Sequence, residues 1–102
     1  MINEIPYLTR NSGNMPCVGL GTMSYPEPEK AIELIKYALD IGYRHIDTAR
    51  KYGSENWVGD AIKMSNVPRD KLWITTKVTE DNAAPVDFMK SLEKSLMALN
   101  LN

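Results

Sequence analysis

The chain has 102 residues, a formal net charge of −1, and 43% hydrophobic against 25% charged residues, the balance of one ordinary soluble domain. Charges of both signs are interspersed, which leaves no basic face for nucleic acid. No apolar run approaches the roughly 20 residues needed to cross a bilayer, and Met1-Ile2-Asn3-Glu4-Ile5-Pro6 lacks the pattern of a secretory leader.

Tyr7 to Arg10 and Met15 to Val18 flank the polar Asn11-Ser12-Gly13-Asn14, a pattern that predicts a β-hairpin. Cys17 to Leu20 then predicts a first buried strand. Cys17 is the single cysteine, so no internal disulfide can form, and a reducing cytoplasm is the expected compartment. From Glu29 to Ile41, the residues Ala31, Leu34, Ile35, Ala38 and Leu39 recur at helical spacing, with Pro28 suited to the first turn and Gly42 to the stop. Tyr43 to Asp47 is short and β-prone.

Ser54 is placed to cap a second helix with Trp57, Val58, Ala61 and Ile62 on one face. Pro68 to Lys71 predicts a turn, and Leu72 to Val78 a strand rich in β-branched residues. Pro85 opens a third helix whose inner stripe is expected to be Phe88 or Met89, Leu92, Leu96 and Leu99. A hairpin followed by β-α-β-α-β-α implies a parallel sheet covered by helices. That order fits a doubly wound sheet and a (β/α)8 barrel equally. A closed barrel takes about 250 residues, so this length accommodates only the first three βα units of one.

Chemistry in parallel β/α proteins gathers at the C-terminal ends of strands. Three stretches qualify: Gly19 to Met23, Asp47 to Gly53, and Thr76-Lys77. Gly19-Leu20-Gly21 is a weak dinucleotide signal, because Ser24 stands where the phosphate-binding motif needs its third glycine. Glycines that permit a tight strand exit are the simpler reading.

Asp47, Tyr52 and Lys77 form a more telling set. A phenol titrates near 10, too high for an efficient proton donor at neutrality, and a neighbouring ammonium favours its phenolate. A carboxylate beside that ammonium would orient it and keep it charged. The same three residues could also be a loop carboxylate, a packed ring and a strand-end lysine in a structural ion pair. His45, the single histidine, reads as a strand residue held by hydrogen bonds. No Cys/His cluster has metal-ligand spacing, so no metal is expected. Ser54 and Cys17 have no evident base, and Trp57 and Trp73 read as packing residues.

At these residues the sequence resembles the aldo-keto reductases. The matching pieces are Met15-Pro16 through Val18-Gly19-Leu20-Gly21-Thr22, Gly42 to Ala49, Tyr52-Gly53-Ser54-Glu55 with Val58-Gly59 and Ala61-Ile62, and Val67-Pro68-Arg69 leading to Ile74-Thr75-Thr76-Lys77. The Ser91 to Leu99 helix matches more loosely. The resemblance implies a partial domain over residues 1–102: an N-terminal hairpin and the first three βα units of a truncated (β/α)8 TIM barrel. It implies NADPH-dependent reduction of an aldehyde or ketone to an alcohol. Tyr52 would be the general acid, Lys77 would lower its pKa, and Asp47 would hold Lys77. Gly21, Thr22, Met23 and Asp47 would lie at the nicotinamide and ribose end of the cofactor. Many members place an aromatic where Met23 stands, which implies a different substrate wall here.

The family's fourth catalytic residue is a histidine in an Ile-His-Trp-Pro-like segment after the fourth strand. It has no counterpart up to Asn102, and His45 matches a strand residue instead. The alternatives on the same fold are a non-catalytic cofactor-binding or regulatory subunit and an inert fragment. Two open sheet edges, and an inner face expected to expose Ile46 and Ile74, predict self-association or a longer parent protein.

Overall fold

The computed structural model describes residues 5–10, 13–25 and 27–101. Strands β1 (Tyr7–Arg10) and β2 (Gly13–Pro16) pair antiparallel, Tyr7 facing Pro16 and Arg10 facing Gly13. The connection is therefore shorter than the sequence suggested, with Gly13 and Asn14 already in the strand. Asn11 and Ser12, the rest of the expected turn, lie outside the described residues.

Strands β3 (Gly19–Gly21), β4 (His45–Asp47) and β5 (Trp73–Thr75) form a parallel sheet in that order. Helix α1 (Pro28–Asp40) connects the first pair and α2 (Glu55–Ser65) the second, while α3 (Pro85–Leu99) follows β5. The sequence thus yields the hairpin and three βα units in the expected order, with shorter strands than predicted. Proline opens both α1 and α3, and α2 and α3 close on left-handed Asn66 and Asn100, where a short polar side chain tolerates that backbone best after glycine.

The register decides what each sheet face carries. Gly19, His45 and Trp73 form one row, Leu20, Ile46 and Ile74 the next, and Gly21, Asp47 and Thr75 the third. Side chains alternate between faces, so the middle row meets the helices. Ile46 is fully buried there with Ile35, Leu39, Val58, Ala61 and Ile62, and Leu20 and Ile74 pack against them. This corrects the expectation that Ile46 and Ile74 would form an exposed inner patch. The face away from the helices carries the glycines, His45, Asp47 and Thr75. β3 is likewise not a buried strand: Gly19 and Gly21 are exposed and Leu20 only half-buried.

The hairpin covers the N-terminal end of the sheet. The Cys17 amide donates to the Pro6 carbonyl at 2.8 Å. The Trp73 ring reaches within 4.0 Å of where a side chain at Gly13 would begin, in keeping with its reading as a packing residue.

The third helix departs most from expectation. Its buried residues are Ser91, Ser95 and Leu99, whereas Phe88 and Met89 are exposed and Leu92 and Leu96 half-buried. The reason lies in its crossing with α2. A Cβ at Gly59 would stand 2.6 Å from the Leu99 carbonyl oxygen, so the helices meet backbone to backbone. So close an approach selects the stripe of small side chains.

Candidate functional site

A cavity of about 600 Å³ opens at the C-terminal rim of the sheet, and Gly21, Thr22, Met23, His45, Asp47, Tyr52 and Lys77 are among its walls. Its floor follows from the register. Asp47 ends β4 on the face away from the helices, one strand over from Gly21. The pairing continues past the strands: the Thr48 amide donates to the Thr75 carbonyl at 2.8 Å and the Arg50 amide to the Lys77 carbonyl at 3.3 Å. That extension sets Lys77 beside the loop leaving β4.

The loop turns at once. Residues Arg50–Tyr52 form a single 3-10 turn, and Gly53 closes it at φ +69°, a conformation other residues adopt at a cost. The chain then enters α2. The turn brings Tyr52 back over the rim, so that the Lys77 ammonium lies 5.3 Å from the centre of the Tyr52 ring. The same ammonium donates to Asp47 Oδ1 and, at 3.1 Å, to the Thr48 carbonyl. The hydrogen bond and charge of Asp47 hold Lys77 above the ordinary lysine value, partial burial works against this, and Tyr52 adds to the rise. The three residues singled out as one set therefore meet on one cavity.

Behind them lies a buried chain of hydroxyls. Ser54 Oγ sits 3.3 Å from Thr22 Oγ1 and 3.2 Å from Thr48 Oγ1, and Thr22 Oγ1 also donates to the Asp47 carbonyl at 3.2 Å. All three residues are almost wholly buried. Ser54 does stand at the N-cap of α2, but its hydroxyl makes no cap bond. The expectation of a capping serine is corrected: the hydroxyl ties the loop after β3 to the loop between β4 and α2 instead.

Gly21, Thr22 and Met23 all border the cavity in different ways. Nothing stands within 4 Å of where a Gly21 side chain would begin, and neither Gly19 nor Gly21 has a left-handed backbone. The two glycines thus do not serve a tight exit. Gly19 makes room for the His45 ring, 3.1 Å from its missing Cβ, and Gly21 leaves the backbone open to approach. The Thr22 hydroxyl is spent within the protein. Met23 is 65% exposed at the mouth. Tyr25, not anticipated, donates its hydroxyl to the Gly21 carbonyl at 2.8 Å, and burial raises its phenol above the ordinary value.

His45 behaves as the sequence suggested. Its Nδ1 lies 3.3 Å from the Pro16 carbonyl, which can only accept, so Nδ1 donates there; Nε2 lies 3.1 Å from the Thr75 hydroxyl. Glu55 was missed. It is 3% exposed, with one carboxylate oxygen 3.4 Å from Arg50 and the other accepting from the Thr76 hydroxyl at 2.6 Å. A signal existed: Glu55 precedes Val58 and Ile62 by three and seven residues, on the helix stripe that had to be buried. Among the described residues no group of His, Cys, Asp and Glu is arranged to hold a metal, and no helix is long and apolar enough to cross a membrane.

The lining suits one end of a nicotinamide dinucleotide and not the other. Asp47 offers acceptors for a ribose hydroxyl, and the open flank of Gly21 admits a flat ring. Among the described residues, Lys77 is the only lysine or arginine on the walls, and it is engaged with Asp47.

The chain is similar to known proteins over nearly its whole length. The model of the aldo/keto reductase family matches residues 17–102. An uncharacterized oxidoreductase of Schizosaccharomyces pombe is 42% identical over 99 residues, covering 97% of this chain and 30% of that protein. Aldo-keto reductase family 1 member A1 of Rattus norvegicus is 40% identical over 99 residues, covering 92% and 30%. An aldo-keto reductase of the silkworm, Bombyx mori, solved with NADPH, superposes with a TM-score of 0.88 at 35% identity, covering 96% of this chain and 33% of that one. The chain thus spans about a third of the length of the proteins it matches.

Proposed function

Because this chain belongs to the aldo/keto reductase family, an oxidoreductase family that uses NADP(H), we propose that the protein carrying it reduces an aldehyde or ketone to an alcohol with NADPH and takes the proton from Tyr52. The observation that carries the reading is the convergence of Asp47, Tyr52 and Lys77 on one cavity at the C-terminal rim.

Bound NADPH supplies the hydride for the carbonyl carbon. The work of this chain is the proton and the field around it. As charge develops on the carbonyl oxygen, the Tyr52 hydroxyl donates to it. The phenolate left behind is stabilised by the Lys77 ammonium, fixed in place beforehand so that little reorganisation is needed. Asp47 keeps that ammonium charged and aimed, and the Thr48 carbonyl holds it from a second side. Gly21 and Asp47 border the space for the nicotinamide and its ribose. Met23, exposed at the mouth, is proposed as part of the substrate wall. The exposed, unpaired Cys17 accords with a reducing cytoplasm.

The test is carbonyl-dependent loss of NADPH absorbance with the full-length protein and its Tyr52→Phe variant. The variant should keep its circular dichroism spectrum and lose turnover. Undiminished turnover would remove Tyr52 from the reaction.

A further inference from the structure

Glu55 stands where an apolar residue would serve packing best. It shares the buried stripe of α2 with Val58, Ala61 and Ile62. A carboxylate so placed costs several kcal/mol unless it is paired and hydrogen-bonded, and Glu55 has two partners that meet this cost. Arg50 Nη1 lies 3.4 Å from one oxygen, and the Thr76 hydroxyl donates to the other at 2.6 Å. Both partners adjoin the proposed acid and its cation. Arg50 opens the 3-10 turn that ends at Tyr52, and Thr76 immediately precedes Lys77.

From this geometry we infer that Glu55 is a positioning residue: its carboxylate ties the loop bearing the Tyr52 phenol to the strand end bearing the Lys77 ammonium and so sets their separation. The inference rests on the proton-donor reading of Tyr52. Asp47 and the Thr48 carbonyl hold the Lys77 ammonium directly, while Glu55 holds the side chain of the preceding residue, Thr76, from the helix side. The hydrogen bond to Thr76 is the shorter of its two contacts, so removing either member of that pair should give one phenotype.

The experiment uses the full-length protein and the variants Glu55→Ala, Thr76→Val and their combination, with Tyr52→Phe as reference. The single variants should lower kcat by about tenfold or more, since misplacement near 1 Å can cost on the order of 10²-fold. KM for the carbonyl should shift less than about threefold, and the double variant should resemble the singles because one bond is being removed twice. Glu55→Gln, whose amide oxygen can still accept from Thr76, should recover part of the loss. Carbon-13 NMR of labelled lysine should show the Lys77 titration moving down toward the ordinary lysine range in Thr76→Val, a readout independent of turnover.

Folded variants with kcat within about twofold of the parent, or an unmoved Lys77 titration, overturn the positioning role. A Glu55→Ala protein that fails to fold leaves Thr76→Val to decide. A parent protein without carbonyl-dependent NADPH oxidation sinks the reductase reading instead; the lysine titration then still decides whether Glu55 sets the geometry.

Discussion

Asp47, the last residue of β4, and Lys77, two residues beyond the end of β5, stand thirty positions apart in the chain and are joined by a direct hydrogen bond. The backbone pairing that continues past both strands, from Thr48 to Thr75 and from Arg50 to Lys77, brings them together on one rim. Their neighbours Ile46 and Thr76 face the helix layer, so each strand end serves the core with one residue and the cavity with the next.

That ion pair has a pH signature. Lys77 is held above its ordinary value of 10.5, chiefly by Asp47. A lysine whose pKa rises on folding contributes stability that is fully present below the unfolded value and is lost as pH climbs through the folded one. Melting temperatures of the full-length protein should therefore fall as pH climbs past the ordinary lysine value, and Asp47→Asn should flatten the part of that fall due to Lys77. Because both side chains are nearly half exposed, the difference should be small and should shrink further in high salt. An identical pH profile in the variant would contradict the assignment.

Gly59→Ala should destabilise the protein even though alanine is favoured over glycine by about 1 kcal/mol inside a helix. The new methyl would meet the Leu99 carbonyl oxygen at 2.6 Å, and the atom that must yield belongs to the backbone. Overpacking of this kind costs about 1–3 kcal/mol, so a lowered denaturant midpoint is expected. A raised midpoint would mean that α2 and α3 do not cross so closely.

Ser95→Ala should have the opposite sign. Ser95 is 1% exposed, and its hydroxyl has no hydrogen-bond partner among the described residues. An unpaired buried hydroxyl costs about 1–3 kcal/mol, and alanine is also the better helix former. A gain of about 0.5–2 kcal/mol in chemical denaturation is the expected result; a loss would reveal a partner for that hydroxyl.

Ser54→Ala should cost about 1–2 kcal/mol by leaving the buried Thr48 hydroxyl without its partner. Helix α2 should be unaffected, since Ser54 does not cap it. Amide exchange in the full-length protein separates the two effects: faster exchange is expected around Thr22 and Thr48, with the first turn of α2 unchanged. Fraying of that first turn alone would restore the capping role.

The sequence made the order of elements legible because periodicity and punctuation agree along most of it. Ala31, Ile35, Ala38 and Leu39 mark α1, and Pro28 and Pro85 mark two helix starts. Asp47, Tyr52 and Lys77 were legible as a set because strand ends are where a parallel sheet exposes its side chains. The buried face of α3 was legible only at Leu99. Hydropathy favoured Phe88, Met89, Leu92 and Leu96, but the approach at Gly59 demanded small residues, a requirement that belongs to two helices at once. The hydroxyl chain of Thr22, Thr48 and Ser54 escaped for the same reason: each residue alone looks like a loop or cap residue, and only the fold sets them within reach. Glu55 lay in plain spacing on the buried stripe and was passed over because carboxylates are seldom buried.

The three-row register of the sheet also has a bearing on how the chain tolerates error. Sliding β4 by a single position against either neighbour would turn the Asp47 carboxylate toward oily helix flanks and push Ile46 out over the pocket. Such a slip would forfeit much of the core and the lysine's anchor in one stroke. Misthreaded forms of this segment are thus penalised by the very contacts that hold the domain together, and quality control over the pocket comes built into the folding reaction.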